Sequence, residues 1–260
     1  MTLSYRTVWI SDVHLGTPAC RADDLLEFLG RVEADRLFLV GDIIDLERMK
    51  SRPWFPDAHR RVIGRLIEMS NSGTEILYVP GNHDHEFRQL TGREIFGIPI
   101  LNEAVHETAD GRRMLVTHGD VLDAEIRQGT NLDAFGAAAY GLMMRLDVLV
   151  NDFRHRLGQD HLSLAARVKD RIAKAQAYIQ RFEQVAANYA DRRGFDGIIC
   201  GHIHRPRVRT IGDVIYANDG DWVEHRTALA ERHDGALHLL SFDREAITTE
   251  SFEADSPLAA

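Results

Sequence analysis

The sequence predicts an α/β fold in which helices cover a parallel sheet, and three observations lead to this prediction. Short apolar runs alternate with helical patterns between residue 6 and about residue 80. The pattern becomes rich in strands from about residue 196 onward. A short polar cluster follows closely on each of five apolar runs. Such alternation is typical of parallel sheets, whose chemistry lies at the carboxyl ends of the strands.

The first part of the chain has the pattern strand, helix, strand, helix, strand. The apolar, largely β-branched runs at residues 7–10, 37–40 and 76–79 predict three buried strands. Apolar residues recur at helical spacing from about residue 22 to 32 and from about residue 57 to 70, which predicts two intervening helices. Gly73 lies just beyond the second helix, where helices commonly end.

The last part of the chain is predicted to be mostly strands. A further run at residues 114–117 precedes the fourth polar cluster. The candidate strands after it are residues 196–200, 207–211, 214–217, 227–231 and 237–241. The pairs Gly212-Asp213 and Asp234-Gly235 are typical hairpin turns. The tail from about residue 245 is polar and rich in small residues, so we expect it to be partly disordered.

Between these parts lies a different segment, about residues 124–194, which is Ala-rich, contains no Pro and has long helical periodicity. One interpretation is a helical hairpin that buries its apolar faces against itself and the sheet. The other is a lid that supplies an apolar groove over the site. From residue 154 to 193 it contains nine Arg or Lys and four Asp or Glu, which suits a phosphate group or an anionic membrane surface. Lys169 and Lys174 are the candidate substrate contacts.

The composition fits an enzyme that folds as one domain, residues 1–260, with this helical insertion. The chain has 44% hydrophobic residues and a formal net charge of −9, so nucleic acid is not an expected partner. No apolar stretch is long enough to span a bilayer, and residue 1 runs almost directly into a strand, without a signal peptide. Two cysteines give no disulfide framework, so we expect a cytoplasmic protein. Because the insertion is basic, we also expect peripheral contact with the inner membrane.

The five polar clusters contain the residue types that a divalent metal needs. They are Asp12-Val13-His14, Gly41-Asp42, Gly81-Asn82-His83-Asp84, His118-Gly119-Asp120 and Gly201-His202-Ile203-His204. Each cluster alone has an ordinary explanation, such as a turn or a helix start. Together, in order and at strand ends, they predict a two-metal hydrolase site. Oxygen ligands with imidazoles favour manganese, although iron or zinc would also suit them. Histidines outside the clusters, among them His59 and His106, are expected at the surface or hydrogen-bonded.

The series of clusters resembles the signature of the calcineurin-like metallophosphoesterase family, over about residues 8–221 apart from the insertion. The resemblance implies a four-layer α/β/β/α sandwich and hydrolysis by a hydroxide bound to two metals. It implies that Asp42 bridges the metals, that His83 faces the scissile phosphate as general acid or charge stabiliser, and that Asp84 orients His83 by a hydrogen bond. The implied ligands of one metal are Asp12, His14 and His204, and those of the other are Asn82, His118 and His202.

Within that family the helical insertion and the run Gly220-Asp221-Trp222 resemble the UDP-2,3-diacylglucosamine hydrolase-like branch. Those hydrolases cleave a pyrophosphate in lipid A synthesis and typically have Arg where His83 stands. A related branch with His includes enzymes of the phospholipase C type. The expected substrate is therefore a phosphate-containing lipid or nucleotide-lipid. A soluble nucleotide phosphodiesterase is a further candidate, and so is a protein-interaction scaffold, although the intact ligand positions count against the scaffold.

Overall fold

The computed structural model describes residues 2–128 and 164–252, without the side chains of residues 127–128 and 164–174. The chain divides into two compact units. The larger consists of Met1–Asp120 and Ala186–Ala260, and the smaller is Val121–Val185. The arrangement as a single domain with an insertion at about residues 124–194 stays a prediction.

The larger unit begins with alternating strands and helices. Its elements up to residue 120 are β1 (Leu3–Ile10), α1 (Ala22–Arg31), β2 (Val32–Val40), α2 (Leu46–Ser51), α3 (Asp57–Asn71), β3 (Glu75–Val79), a 3₁₀ helix (His85–Leu90), β4 (Glu94–Ile95), β5 (Ile98–Pro99), β6 (Ala104–Glu107) and β7 (Arg113–Val116). Its second segment contributes β8 (Gly197–Cys200), β9 (Arg207–Ile211), β10 (Val214–Asn218), β11 (Thr227–Glu231), β12 (Leu237–Phe242) and β13 (Ile247–Ser251).

Two mixed sheets form the core of this unit. The six-stranded sheet has the order β13-β12-β11-β1-β2-β3, and β1, β2 and β3 are parallel. The five-stranded sheet has the order β6-β7-β8-β10-β9, and β7, β8 and β10 are parallel. Because the strands in each of these sets are parallel, their carboxyl ends lie at a common edge of the sheet. Side chains alternate along a strand, so each inner strand supplies apolar residues to both faces of its sheet.

The two faces of the six-stranded sheet pack against different layers. On one face, Val8 and Leu37 pack with Leu25 of α1 and Leu66 of α3. On the other face, the side chains of the two sheets meet in a second core of buried residues. Its members include Trp9, Phe38, Met114, Ile199 and Ala217. Removing this apolar surface from water is the main force that holds the helices and both sheets together.

The predicted α/β fold, with two sheets and flanking helices, is confirmed. Both predicted helices and the strands before each cluster are present, as are both hairpins. Residues 253–260 of the tail lie outside the described part of the chain, so its partial disorder stays a prediction, but residues 247–251 are ordered. They form β13, which pairs antiparallel with β12, and this strand contains Ile247 and two β-branched threonines. The short elements α2, β4 and β5 were not predicted.

The smaller unit contains α4 (Asp123–Gln128) and most of α5 (Leu164–Arg192). Within it, the Tyr178 hydroxyl donates a hydrogen bond to Asp123 Oδ1 at 3.0 Å. Lys169 and Lys174 lie on α5, but their side chains and the apolar residues 134–150 fall outside the described part of the chain. In the described part, no helix combines the length and the apolar character that a membrane span requires.

Candidate metal centre

Each polar cluster begins at or within two residues of the end of a strand: β1, β2, β3, β7 or β8. Backbone hydrogen bonds join the loops to one another. The Asp12 N–H donates to Gly41 O at 3.0 Å, and the His14 N–H donates to Asp42 O at 2.8 Å. The His202 N–H donates to Asp12 Oδ2 at 2.9 Å, which ties a loop of the second sheet to a loop of the first. These bonds gather the clusters into one place.

The backbone at this place is held in an unusual conformation. Seven non-glycine residues in the described part of the chain have a φ in the left-handed region, and five of them are predicted metal ligands. These five are Asp12, His14, Asp42, His202 and His204. Such a backbone is unfavourable for side chains other than glycine and persists only where the surroundings enforce it. Its concentration here indicates that side-chain placement, rather than local stability, determines the loop geometry.

Two glycines allow the loops to approach closely. A Cβ at Gly81 would overlap the Asp42 carboxylate, and a Cβ at Gly201 would overlap Ser11 Oγ and the Asp12 carboxylate. Both positions therefore need a residue without a side chain. At Gly81 and Gly201 the backbone φ does not require glycine, so the close approach of the neighbouring loop is the reason for glycine at these two positions.

Asp12, His14 and His204 form the first group of candidate ligands. One ligand atom from each residue lies within 4.8 Å of the others. Asp12 Oδ1 lies 3.0 Å from His204 Nε2 and 3.9 Å from His14 Nε2. Asp12 and His14 are buried, whereas the His204 side chain is partly exposed. The structure thus brings together the three residues predicted for one metal.

Asp42 lies between this group and the next. Asp12, Asp42 and His118 also offer ligand atoms within 4.8 Å of one another. Asp42 Oδ1 lies 3.6 Å from His118 Nε2, whereas Asp42 Oδ2 lies 3.8 Å from His14 Nε2. Because its two oxygens face different histidines, the Asp42 carboxylate has the placement that the predicted bridging role requires.

The remaining two predicted ligands belong to neighbouring loops. Asn82 lies between Gly81 and His83, whose backbones both approach the Asp42 carboxylate. The His202 ring lies edge-on to the His118 ring, with centroids 5.2 Å apart. The structure therefore places His202 beside His118 and Asn82 in the loop that packs against Asp42, and the division of the seven ligands between two metals stays a prediction.

The hydrogen-bonding state of the candidate ligand atoms shows whether this site fits a metal. Asn82 Oδ1 and His118 Nε2 are buried and have no hydrogen-bond partner among the described residues. Buried polar atoms are normally hydrogen-bonded, so an orphan pair at one place needs an explanation. His118 Nδ1 lies 2.9 Å from Val40 O and is therefore the protonated nitrogen of the neutral ring, which leaves the lone pair on Nε2 for a metal. The residues fit a divalent ion.

Charge interactions within the site shift several pKa values. Burial would raise the pKa of the Asp12 and Asp42 carboxyls, but the neighbouring imidazoles outweigh burial and hold both pKa values below normal. Burial would lower the pKa of His118, but Asp42 and Asp12 raise it to about 9. The carboxylates of the site thus attract positive charge strongly, and protons supply that charge when a metal does not.

Asp45 was missed by the sequence analysis. Its carboxylate is buried, with Oδ1 3.1 Å from His83 Nδ1 and Oδ2 3.3 Å from His14 Nδ1. Burial would raise the pKa of Asp45, but hydrogen bonding to His14 and His83 holds it well below normal. The sequence signal was the spacing Gly41-Asp42-x-x-Asp45 at a helix start, where Asp45 also caps α2 by accepting from the Arg48 N–H at 2.9 Å.

The Asp84 carboxylate contacts the loops around it. Its carboxylate accepts hydrogen bonds from the backbone N–H groups of Ile43 at 2.8 Å and Gly81 at 2.6 Å, and from the Tyr78 hydroxyl. Burial and the Asp42 charge raise the pKa of Asp84. These contacts hold the loops after β2 and β3 together. The Asp45 carboxylate also lies against the His83 ring, with Oδ1 3.1 Å from Nδ1, so Asp45 is a second candidate for the orienting role, which stays a prediction for Asp84.

Asp120, the last residue of the fourth cluster, lies beside the site rather than in it. Both of its oxygens accept from the Arg88 guanidinium at 2.8 Å, and the same group donates to Pro80 O at 3.0 Å. This pair links the loop after β7 to the 3₁₀ helix that follows the third cluster. Its role is to position that helix.

Comparison with known proteins adds independent information. The profile of the calcineurin-like phosphoesterase family matches residues 5–206. A UDP-2,3-diacylglucosamine hydrolase of Photorhabdus laumondii is 26% identical over 251 residues, which cover 91% of this chain and 98% of that protein. One from Xanthomonas axonopodis pv. citri is 27% identical over 251 residues, which cover 88% of this chain and 96% of that protein.

Solved structures give weaker likenesses. Vacuolar protein sorting 29 from Cryptosporidium parvum has a TM-score of 0.48 at 12% identity, covering 95% of each chain. The phosphoesterase Yfce from E. coli has a TM-score of 0.43 at 19% identity, covering 93% of this chain and 90% of that one.

Proposed function

Because this chain belongs to the calcineurin-like phosphoesterase family, we propose that it is a metal-dependent hydrolase of a phosphodiester or pyrophosphate bond in a lipid-linked substrate. The observation that carries the proposal is the pair of buried, unpartnered ligand atoms, Asn82 Oδ1 and His118 Nε2, next to the Asp42 carboxylate. A site that had lost its metals and its activity would have no reason to retain such atoms, because each is costly when left unsatisfied.

The proposed metals would be held by the seven predicted ligands. Asp12, His14 and His204 would hold one ion, Asn82, His118 and His202 would hold the other, and Asp42 would be the ligand shared by both. When bound, two divalent ions lower the pKa of a water and neutralise charge on the phosphoryl oxygens. Manganese is the expected metal, and iron or zinc would also suit the ligand set.

In this proposal His83 supplies the protein's own acid. Its Nδ1 faces Asp45, and its Nε2 lies 3.9 Å from Asp42 Oδ2 and therefore points toward the centre. A proton on Nε2 is in position to stabilise the scissile phosphate or to pass to the leaving oxygen, while the Asp45 carboxylate keeps the ring oriented. The side chain is only 13% exposed, so bulk water does not compete strongly for that proton.

The lipid-linked substrate class rests on two supports. Relatives that match nearly the full chain are named UDP-2,3-diacylglucosamine hydrolase. The sequence of the insertion is apolar at residues 134–150 and basic from residue 154 to 193, a combination that suits acyl chains and phosphate. In the proposal Lys169 and Lys174 contact the substrate phosphates, and the protein works at the inner membrane surface from the cytoplasm.

A second candidate, phospholipase C-type removal of phosphorylated head groups, is favoured by one residue. Position 83 has an imidazole rather than a guanidinium. An imidazole can donate a proton to a leaving alkoxide, whereas a guanidinium stays protonated and only stabilises charge. An alkoxide such as diacylglycerol needs that proton more than a nucleotide phosphate does.

One assay separates these possibilities. Purified protein, stripped with a chelator and reloaded with Mn²⁺, receives UDP-2,3-diacylglucosamine, phosphatidylcholine, phosphatidylglycerol and a soluble chromogenic phosphodiester in separate reactions. Release of UMP supports the first candidate, and release of diacylglycerol supports the second. Turnover of the soluble diester alone indicates a nucleotide-type phosphodiesterase, and no turnover with any of the four refutes the hydrolase proposal. Reloading with Fe²⁺ or Zn²⁺ identifies the preferred metal.

A further inference from the structure

A cavity of about 280 Å³ lies within the larger unit, apart from the metal centre. Its walls come from α3, from the ends of β2 and β3, and from the hairpin of β4 and β5. Every lining side chain is Ile, Leu, Phe or Tyr. Core side chains are normally closely packed, so an apolar cavity of this size, open on one side, is unusual beside a well-packed core.

The lining determines what can enter. Among the described residues that line it, the Tyr78 hydroxyl is the only polar side-chain group, and that hydroxyl donates to the Asp84 carboxylate. A polar or charged ligand would therefore lose its hydration and find no partner, which is strongly unfavourable. Water that enters through the open side finds no hydrogen-bond partner on this lining, so its displacement by a hydrocarbon group is favourable. Only a hydrocarbon group suits this cavity.

The hairpin at its rim has an unexpected residue at its tip. Ile95 pairs with Ile98, so Phe96 and Gly97 form a two-residue turn in which both residues have positive φ, 53° and 77°. Asn, Asp or Gly is preferred at the first of these positions, and an aromatic residue is strained there. Phe96 nevertheless lines the cavity while 69% of its surface is exposed to solvent. Strained backbone residues cluster at active sites and ligand clamps, so the strain at Phe96 draws attention to this rim of the cavity.

We propose that this cavity binds one alkyl chain of a lipid, with Phe96 at its entrance. An apolar cavity of about 150 Å³ accommodates one benzene ring, so this one accommodates a chain of roughly eleven carbons. Its wall is covalently next to the metal centre, since Ile43 and Ile44 line the cavity and directly follow Asp42. The chain is either part of the hydrolysed lipid or part of a second amphiphile, and both sources present the same chemistry.

Photolabelling tests the site without turnover. The full-length protein is irradiated with a straight-chain alcohol of about twelve carbons that carries a diazirine at the chain end. We expect labelled peptides from α3 and from the hairpin, residues 94–99. Ile67→Trp, a half-buried lining position on α3, fills the cavity and should reduce this labelling about tenfold. Val105→Trp, at an exposed position on β6, is the matched control and should leave it unchanged.

A second variant covers the case in which Ile67→Trp does not fold. Phe96→Asn suits the turn and removes the aromatic ring, so it should keep or raise the melting temperature while labelling falls severalfold. Labelling that maps to other segments, or that survives both lining variants, overturns the proposal. Unchanged labelling in Phe96→Asn with loss in Ile67→Trp would leave the cavity assigned but would contradict the role of Phe96 at its entrance.

Hydrolysis distinguishes the two sources of the chain, and this step rests on the proposed function. Methyl and dodecyl esters of p-nitrophenyl phosphate are compared in the wild type and in Ile67→Trp. If the chain belongs to the substrate, the dodecyl ester has the higher kcat/KM, and Ile67→Trp removes only that advantage. Loss of labelling with an unchanged ratio assigns the cavity to a second amphiphile. Failure to hydrolyse both esters would count against the proposed function and not against the cavity, because labelling needs no catalysis.

Discussion

Two clusters of histidine and carboxylate lie buried in the same unit, and they differ in how their polar atoms are satisfied. One is the metal centre at the carboxyl ends of the strands. The other consists of Arg6 on β1, His106 on β6 and Glu231 on β11, here termed the His106 cluster. His106 and Glu231 are completely buried. Burial alone therefore does not distinguish the two clusters.

Every polar side-chain atom of His106 and Glu231 has a partner. His106 Nε2 lies 2.7 Å from Glu231 Oε2, and its Nδ1 lies 3.3 Å from the Arg36 guanidinium. Arg6 donates to both oxygens of Glu231 at 2.8 and 2.9 Å, and the Ala109 N–H donates to Oε1 at 2.7 Å. The His106 cluster joins strands of both sheets and leaves no lone pair for a ligand.

The metal centre shows the opposite pattern. Asn82 Oδ1 and His118 Nε2 are without hydrogen-bond partners among the described residues, and several of the loops around them have left-handed backbone. A satisfied cluster contributes to stability, whereas an unsatisfied and strained one reduces it and is retained for another reason. Between these two buried clusters, the metal centre is therefore distinguished by unpartnered ligand atoms together with left-handed backbone, and not by the presence of a buried histidine.

The largest expected effect comes from the bridging position. Asp42→Asn keeps an oxygen for the His83 N–H but removes the charge that both metals would share. We expect Mn²⁺-dependent phosphodiester hydrolysis to fall about a thousandfold or more. The melting temperature of the metal-free protein should change far less than in the Glu231 variant below. Asp213→Asn, in an exposed hairpin turn, is the matched control. Unchanged turnover in Asp42→Asn would refute the site assignment.

The His106 cluster should respond in the reverse sense. Glu231→Gln leaves the Arg6 charge and a buried imidazole facing an amide, and breaking a buried pair in this way costs about 3–5 kcal/mol. A loss of that size lowers the melting temperature by about 10 °C for a chain of this length. Thermal unfolding measures it, and kcat at a temperature below the transition should stay close to wild type. Glu107→Gln, exposed on the same strand as His106, should change neither. A large drop in kcat without a drop in stability would contradict the distinction between the clusters.

Much of the fold and of the site could be predicted because both depend on local patterns. The apolar runs before each cluster locate the strands, and the residue types in the clusters indicate metal chemistry. The His106 cluster could not be found, since Glu231 lies 125 residues from His106 and only the sheet order brings them together. Asp45 was missed for a different reason. As the N-cap of a short helix it has an ordinary local explanation, and its contacts with two histidines depend on tertiary structure.

An intermediate effect is expected at Asp45. Asp45→Asn still caps α2 but loses the carboxylate that faces His83 and His14, and loss of such a partner typically costs about 10–100-fold in activity or metal affinity. We expect kcat to fall by a factor within that range. We also expect a shift in the limb of the kcat–pH profile that reports ionisation of the proposed acid, His83. Asp84→Asn should instead lower the melting temperature, because Asp84 holds the backbone of two loops. A moved pH limb in Asp84→Asn alone would assign the orienting role to Asp84, as predicted from the sequence.

The smallest effect is the pH dependence of stability and of Mn²⁺ affinity in the wild-type protein, which we expect to come from the metal centre and not from the His106 cluster. The pKa of His118 is raised to about 9 from an ordinary 6.5. Its contribution to the stability of the metal-free protein is therefore full below pH 6.5 and is lost as the pH rises through 9. Metal binding must displace this proton, so Mn²⁺ affinity should rise over the same window, by up to about tenfold per pH unit for each proton released.

Calorimetric titration of Mn²⁺ and thermal unfolding of chelated protein, each from pH 6.5 to 9, measure both trends. His118→Gln should reduce the fall in stability, because one titrating imidazole is gone. The remaining fall belongs to His204, whose pKa burial would lower but Asp12 raises to about 9. His233→Gln, whose ring is largely exposed, should leave the fall intact. The Glu231→Gln variant should remain less stable than the wild type at every pH in this window, with the same dependence on pH as the wild type. A slope that disappears in Glu231→Gln instead would place the titrating group in the His106 cluster and reverse the assignment.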